Sequence, residues 1–387
     1  MALEICRTEQ IDMVLSDWVM PGIDGLEFCR RFRAMDKDHY GYFILLTSKD
    51  EKGEIAQGLD VGADDFLTKP VNSAELHARI RAGERVLAVE QQLVEKNRSI
   101  SEALQELQGL YQAIDRDLEE AKKLQLSLMP DPVSVFPNAR VSVALRSSGH
   151  IGGDMVGIYH RSPSKIGLYA FDVSGHGISS ALMTARLAGC LSPANPAHSI
   201  AMLPNPDGSH RLKHPSEIAA AMNERMIEDL DTDLYLTVLL AEVDLATGEV
   251  ILVQAGHPHP TVQRADGSVH FIGNGGLPIG LIPDAGFAWF RHKLDPGDRL
   301  LIYSDGFTEA VDINGRFLDE AGLARLLQTH KTAAGGELLA DLVWDTLAYS
   351  GGGEADDDLS ALLLEYGPDA AATQTDNDAQ NACRPHC

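Results

Sequence analysis

The chain has 387 residues, of which 44% are hydrophobic, so it can form two or three domains with sizeable cores. Its formal net charge of −25 argues against nucleic acid as a partner, because phosphate backbones bind to basic surfaces. The same charge argues against binding to an anionic membrane surface. The sequence contains no run of 18 apolar residues, the pattern that would predict a membrane span. The N-terminus lacks a signal-peptide pattern and the five cysteines lack CxxC spacing, which favours a cytoplasmic protein with reduced thiols.

Residues 1–83 alternate strand-like and helix-like segments, a pattern that predicts a parallel sheet with its ligands at the carboxyl ends of the strands. Asp17, Thr47 and Lys69 each stand at such an end. Together with the Met-Pro-Gly-Ile-Asp-Gly loop at 20–25, they resemble a response-regulator receiver domain of flavodoxin-like fold. The alternative is an unrelated α/β fragment.

The receiver resemblance implies a role for each of these three residues. Asp17 would accept a phosphoryl group from a histidine kinase, the Thr47 hydroxyl would follow that group, and Lys69 would contact it. The peptide bond between Lys69 and Pro70 is expected to be cis.

The segment departs from the receiver pattern, because it lacks the first strand with its acidic Mg²⁺-binding pair and the second strand. Either the chain begins downstream of the natural start, which we favour, or the receiver is vestigial. Without the acidic pair, charge on a transferring phosphoryl group is poorly neutralised, so we expect Asp17 to accept phosphate poorly.

Residues 84–129 carry an apolar heptad repeat without an internal proline, which predicts a left-handed coiled coil. Asn97 at a core position favours a parallel dimer in register, so we expect a homodimer with a signalling rod. The alternative is one long helix packed on its own domains. One heptad position holds Val86, Leu93, Ile100, Leu107, Ile114, Ala121 and Leu128, and the other holds Glu90, Asn97, Leu104, Tyr111, Leu118 and Gln125.

Four later segments place aspartates beside glycines or at the ends of strand-like runs. Carboxylate oxygens suit Mg²⁺ or Mn²⁺, and glycine lets the backbone approach closely. A single such segment is as readily an ordinary turn, but four favour a metal site. The four are Asp154 after two glycines, Asp172 at the end of 166–171, Asp305 after 300–303, and the triplet Asp356-Asp357-Asp358.

Six motifs in order resemble bacterial PPM-type metal-dependent serine phosphatases of the stage II sporulation branch, over residues 121–367. The motifs are Gly-Gly-Asp at 152–154, Asp-Val-Ser-Gly-His-Gly at 172–177, Ala-Gly-His-Pro at 255–258, Leu-Pro-Ile-Gly at 277–280, Ser-Asp-Gly-Phe-Thr-Glu at 304–309 and Asp-Asp-Leu-Ser at 357–360. The resemblance implies an αββα sandwich over 130–367 that holds two Mg²⁺ or Mn²⁺ ions.

The resemblance also assigns the metal ligands. Asp172 would bridge the two ions, with the Val173 carbonyl on one of them, and Asp154, Asp305 and Asp357 would complete the set. Asp358 is the alternative to Asp357, which fits the family spacing better. Four packed carboxylates would repel one another unless cations neutralised them.

Several neighbouring residues have two readings. His176 could act as a general acid, form a hydrogen bond to an Asp ligand, or simply stabilise a tight turn. For His257 we favour a structural role. No arginine matches a trusted phosphate-binding position, and Gly157 stands where many relatives carry a second acid. The element at 121–130, Ala-Lys-Lys-Leu-Gln-Leu-Ser-Leu-Met-Pro, resembles a regulatory switch of the family and also ends the helix.

Apolar patterning predicts the elements of 130–367. Residues 192–215 are rich in Pro, Asn, His and Ser and predict a long surface loop, and 368–387 predict a disordered tail. Strands are expected at 141–146, 156–160, 166–171, 236–243, 249–254, 260–264, 269–272, 299–303 and 359–365, and helices at 178–190, 216–230, 319–328 and 336–348.

The favoured function is a metal-dependent phosphatase that removes phosphate from serine or threonine of a regulatory protein under receiver control. The family resemblance makes a phosphorylated anti-sigma-factor antagonist the expected substrate. The alternatives are a catalytically weak phosphatase-like binding module and a signalling scaffold.

Overall fold

The computed structural model describes residues 1–35, 39–48, 52–175, 177–192, 199–207, 210–228, 234–353 and 355–368. The chain divides into two compact units, Met1–Ala113 and Ile114–Cys387. His176 and, apart from Pro368, the expected tail lie outside the described residues. In the part of the chain that is described, no helix is long and apolar enough to cross a membrane.

The first unit contains a three-stranded parallel sheet in the order β1-β2-β3. Phe43 of the central strand lies 5.5 Å from the Phe28 ring, and both are buried with Phe32 under the helices. This partial receiver architecture confirms the expected parallel sheet, with Asp17 and Thr47 as the last residues of their strands. The elements are α1 (Ala2–Thr8), β1 (Met13–Asp17), α2 (Gly25–Arg33), β2 (Tyr42–Thr47), α3 (Lys52–Asp60) and β3 (Asp65–Thr68).

A single helix, α4 (Ser73–Ser127), runs for 55 residues. It therefore begins eleven residues before the expected connector (73 against 84), because the last receiver helix continues through Gly83 into the heptad segment. The heptad side chains from Leu93 to Ile114 are about half exposed in the single chain, including Ile100 at 58% and Leu107 at 48%.

The second unit is built on two antiparallel sheets. One has five strands in the order β14-β11-β10-β7-β6, and the other has six in the order β13-β12-β15-β16-β5-β4. The strands are β4 (Val133–Phe136), β5 (Ala139–Arg146), β6 (Asp154–Arg161), β7 (Lys165–Val173), β8 (Met202–Pro204), β9 (His210–Leu212), β10 (Leu236–Asp244), β11 (Glu249–Ala255), β12 (Thr261–Gln263), β13 (Val269–Phe271), β14 (Trp289–Lys293), β15 (Arg299–Tyr303) and β16 (Leu359–Tyr366).

Strand β7 shows why the sequence forms layers, because alternate side chains of a strand point to opposite faces. Ile166, Leu168 and Ala170 pack into the core between the two sheets. Tyr169 and Phe171 pack into a second core under two helices, α5 (Ile178–Leu191) and α6 (Pro215–Glu228).

The six-stranded sheet has the same two-sided construction. Leu362 and Leu364 of β16 enter the core between the sheets, whereas Ala361 and Leu363 face the opposite side. That side is covered by α7 (Asp319–Thr329) and α8 (Gly335–Tyr349). The four layers confirm the predicted αββα sandwich.

The structure adds strands that the patterning missed. β4 and β14 are edge strands with half-exposed side chains, so their apolar signal is weak. β8 and β9 form a small hairpin within 192–215, the segment expected to be a loop, and each has only three residues.

Candidate metal centre

The two sheets bring the predicted aspartates to the same end of the sandwich. Asp154 begins β6 and is paired in register with Asp172 on β7. Asp305 follows β15, and Asp357 precedes β16, the antiparallel neighbour of β15. Each sheet therefore contributes two carboxylates.

The charges of these carboxylates interact across the two sheets. Burial, followed by the charges of Asp305 and Asp357, raises the pKa of Asp172 to about 7. Burial, followed by Asp357 and Glu309, raises the pKa of Asp305 to about 6. An acidic group with a pKa this high is poorly solvated and faces other negative charges, which is the environment that a cation relieves.

Asp154 is the most buried member of the set, with 2% of its surface exposed. Burial and then the charges of Asp172 and Asp358 raise its pKa well above the ordinary range. Its Oδ2 atom is buried and has no hydrogen-bond partner among the residues that the structure describes. A buried carboxylate oxygen without a partner is costly, and a divalent cation is the kind of group that would satisfy it.

The two glycines before Asp154 are required by close packing. A Cβ on Gly152 would lie 1.9 Å from Asp358 Oδ2, and a Cβ on Gly153 would lie 2.6 Å from the Val173 carbonyl oxygen. The Gly153 carbonyl oxygen accepts a 2.6 Å hydrogen bond from the Thr184 hydroxyl. The Val173 carbonyl predicted as a ligand thus lies against the Gly-Gly-Asp turn.

The consecutive aspartates 357 and 358 have different surroundings. Asp358 Oδ1 accepts hydrogen bonds from the Ser148 backbone N–H at 2.8 Å and hydroxyl at 3.2 Å, and Asp358 Oδ2 accepts from the Asp154 N–H at 3.4 Å. Within the described residues, the Asp357 carboxylate accepts one hydrogen bond, from the adjacent Asp358 N–H at 2.8 Å. Asp358 therefore braces the turn, and Asp357 remains the better ligand candidate.

Among the described residues, no group of three or more His, Cys, Asp or Glu side chains forms a ready-made metal cluster. The metal centre is therefore a candidate, supported by the buried Asp154 Oδ2 and by the raised pKa values of Asp172 and Asp305.

Two other predicted positions have structural explanations. His257 is 3% exposed, its Nδ1 lies 3.0 Å from the Thr237 hydroxyl, and burial lowers its pKa to about 3. A side chain at Gly157 would have its Cβ 2.5 Å from the Tyr169 ring, so the second acid that the family resemblance would place here does not fit.

Gln125 lies near the end of α4, and the sequence placed it both at a heptad position and in the 121–130 element that resembles a regulatory switch. Its side chain is 4% exposed, and its Nε2 donates a 2.8 Å hydrogen bond to the Gly152 carbonyl. The Gly152 N–H donates to Gln125 Oε1 at 3.4 Å. Gln125 thus packs against its own domain and does not belong to a coiled-coil seam. Its partner, Gly152, stands two positions before Asp154 in the sequence.

In the first unit, Lys69 and Asp17 form an ion pair, and the hydrogen bond from Lys69 is the largest cause of the lowered pKa of Asp17. The Thr47 side chain is 2% exposed. The Lys69–Pro70 peptide bond is cis, which confirms the prediction. A Cβ on Gly25 would lie 2.3 Å from the Asp17 carbonyl oxygen, which explains the glycine that ends the 20–25 loop.

The αββα layers with acidic residues at one end define a phosphatase-type sandwich, and the first unit is a partial receiver. A solved structure of the SiaA-PP2C domain of Pseudomonas aeruginosa has the same fold, with a TM-score of 0.52, 19% identity, and coverage of 66% of this chain and 98% of that one. The family model for stage II sporulation protein E (SpoIIE) matches residues 162–367, and that for the response regulator receiver domain matches 1–81. The SpoIIE match spans more than half of the 387 residues, so the chain belongs to the SpoIIE family.

Two curated relatives come from Bacillus subtilis (strain 168). Phosphoserine phosphatase RsbP is 29% identical over 191 residues, which are 49% of this chain and 45% of RsbP. Phosphoserine phosphatase RsbU is 24% identical over 263 residues, which are 67% of this chain and 73% of RsbU. The chain thus spans less than half of the length of RsbP.

Proposed function

We propose that this chain is a metal-dependent protein phosphatase that hydrolyses phosphoserine or phosphothreonine on a regulatory protein. The observation that carries the proposal is the acidic edge, where four aspartates from two sheets lie at one end of the sandwich. The buried Asp154 Oδ2 there has no hydrogen-bond partner among the described residues. The relatives RsbP and RsbU, both phosphoserine phosphatases by name, support the same activity.

Asp154, Asp172, Asp305 and Asp357, with the Val173 carbonyl, would hold two Mg²⁺ or Mn²⁺ ions. Bound ions of this kind supply a water of lowered pKa and neutralise phosphoryl oxygens during in-line attack. The chain contributes the scaffold. The two sheets fix the backbone of each aspartate, and Asp358 with Ser148 holds the Gly-Gly-Asp turn in place.

We further propose that residues 1–83 receive the signal and residues 84–129 transmit it. Asp17, beside Lys69 and Thr47, would be the site phosphorylated by a histidine kinase. The half-exposed apolar side chains of α4 between Leu93 and Ile114 would pair with those of a second copy, because such a stripe is unfavourable in water.

Gln125 gives this signal a physical route to the acidic edge. Its amide bonds to Gly152 join the end of α4 to the strand that begins with Asp154. A shift of the helix end would therefore move a ligand of the metal centre. We propose a phosphorylated anti-sigma-factor antagonist as the substrate and the cytoplasm as the compartment.

The test measures phosphate release from a phosphoserine peptide and a small aryl phosphate, with Mn²⁺, with EDTA and with Asp305→Asn. We expect turnover that requires Mn²⁺ and is lost in the variant, whereas Asp266→Asn, in an exposed turn, retains it. A folded protein that shows no turnover and does not bind Mn²⁺ would instead favour the binding module. Full signalling by the Asp305→Asn chain would favour a scaffold.

A further inference from the structure

A cavity of about 680 Å³ lies between the last turns of α4 and the loop that follows β5. Its lining includes Lys122 of α4 and Arg146 of β5. Ala355 lines this cavity and also a smaller one of about 190 Å³, which contains Glu309 and Asp357. The larger cavity, called here the Arg146 cavity, therefore adjoins the acidic edge.

The positions of two lining residues, Arg146 and Ser148, show how the cavity adjoins the acidic edge. Arg146 is paired across the sheet with Leu359, the residue after Asp358. Two residues further on, Ser148 holds the Asp358 carboxylate with its N–H and hydroxyl. Arg146 therefore stands beside the metal centre without belonging to its set of carboxylates.

The charges in the Arg146 cavity are unevenly paired. Glu119 lies 3.6 Å from His150 Nδ1, and the other ring nitrogen of His150 lies 3.1 Å from Asp115. Within the described residues, neither Lys122 nor Arg146 takes part in an ion pair. Two unpaired cations thus remain in the wall of an open cavity.

These cations stand out in a chain with a net charge of −25. A phosphorylated segment approaching the acidic edge is repelled by most of the protein, and local cations offset that repulsion along the path. A guanidinium can bind a carboxylate through two parallel hydrogen bonds, whereas an ammonium acts as a point charge.

We infer that the Arg146 cavity binds acidic side chains that flank the phosphoserine of the substrate, with Arg146 and Lys122 as the contacts. This inference rests on the proposed phosphatase function and names a property of its substrate. Arg146 is thus a specificity residue, and the phosphoryl group itself is bound at the acidic edge.

The test compares two phosphoserine peptides that differ only in flanking residues, either Asp and Glu or Asn and Gln. Turnover with Mn²⁺ is measured for the unmodified chain, Arg146→Gln, Arg146→Lys and Lys122→Gln. Lys123→Gln is the matched control, because Lys123 is the neighbouring exposed lysine and is absent from the cavity wall. An aryl phosphate reports the chemistry without flanking residues.

We expect Arg146→Gln to raise KM for the acidic peptide by about three- to fivefold, the range of an exposed ion pair, with kcat nearly unchanged. The neutral peptide and the aryl phosphate should be unaffected, Arg146→Lys should recover part of the loss, and high salt should remove the preference. An equal loss on all three substrates, or no loss on the acidic peptide, would overturn the inference.

A binding measurement separates this inference from the proposed function. Fluorescence anisotropy of a labelled acidic peptide reports docking even if the unmodified chain turns over no substrate. Docking that weakens in Arg146→Gln but not in Lys123→Gln supports the cavity assignment without turnover. Turnover by the unmodified chain without preference for the acidic peptide contradicts the cavity assignment alone.

Discussion

Replacing Asp305 by Asn should stabilise the metal-free protein while abolishing its activity. Asp305 lies at the acidic edge, where burial and the charges of Asp357 and Glu309 raise its pKa from 3.8 to about 6. Its charged form is therefore less favourable in the folded state than in the unfolded chain. Asparagine has nearly the same shape and carries no charge.

The pH dependence follows from linkage. Between pH 4 and pH 6 the folded protein holds a proton at Asp305 that the unfolded chain has lost, so stability falls as pH rises through this window. A pKa raised by about two units corresponds to a loss of at most ~3 kcal/mol in the free energy of unfolding. Relaxation of neighbouring side chains reduces this loss, so we expect about 1–3 kcal/mol. The gain in Asp305→Asn should be near zero at pH 4 and complete at about pH 7.

The assay is urea unfolding in EDTA, followed by fluorescence in a Trp18→Phe background. The remaining tryptophans, Trp289 and Trp344, both belong to the second unit, so the signal reports that unit alone. Asp266→Asn is the control, because hydrogen bonds from Ser268 lower the pKa of Asp266 and its replacement should give no gain. Mn²⁺ should stabilise the unmodified chain more than Asp305→Asn.

Two results would refute this reasoning. An Asp305→Asn protein that is no more stable than the unmodified one at pH 8 in EDTA would show that Asp305 is not electrostatically strained. A gain of equal size at pH 4 and pH 8 would assign the effect to packing and not to charge.

Three further predictions concern other parts of the chain. Gln125→Ala should lower the free energy of unfolding of the second unit by about 2 kcal/mol, because it leaves the buried Gly152 backbone without its hydrogen bonds. It should also raise the Mn²⁺ concentration that gives half-maximal turnover. Leu124→Ala is the control and should have neither effect, because Leu124 is 70% exposed. In a polypeptide of these 387 residues, acetyl phosphate should label Asp17 weakly, since no adjacent acidic pair stands before Asp17 in it, and strong labelling detected by mass spectrometry would contradict this. Leu107→Asp should shift the protein toward monomer in sedimentation analysis, because a charge in an apolar seam is unfavourable; an unchanged sedimentation coefficient would argue against pairing through α4.

Much of the fold was predictable from the sequence, because it depends on strong local patterns. Buried strands such as β7 and β16 are long apolar runs, and the family resemblance implied the αββα order in which they are arranged. The edge strands β4 and β14 and the hairpin β8–β9 were missed, since short, half-exposed segments carry little apolar signal. The boundary between receiver and connector falls within one continuous helix, α4, so the helix bounds do not mark it.

The site was less predictable than the fold. The aspartates were found because motifs marked them, but their surroundings depend on contacts between distant segments. The bond from Gln125 to Gly152 joins residues 27 positions apart, and the one from Ser148 to Asp358 joins residues 210 positions apart. A heptad pattern assigned Gln125 to a coiled-coil seam, because periodicity alone cannot tell which partner a helix face meets.

These contacts explain how one short region could serve both regulation and specificity. The end of α4 supplies Gln125 on one face, bound to the turn before Asp154, and Lys122 nearby in the wall of the Arg146 cavity. A change in the position of this helix end would alter the metal centre and the substrate path together. A signal that moves α4 therefore has to change metal affinity and peptide preference in parallel, and Gln125→Ala should weaken the preference for the acidic peptide as well as Mn²⁺ activation. Loss of one effect without the other would show that the two sites respond independently.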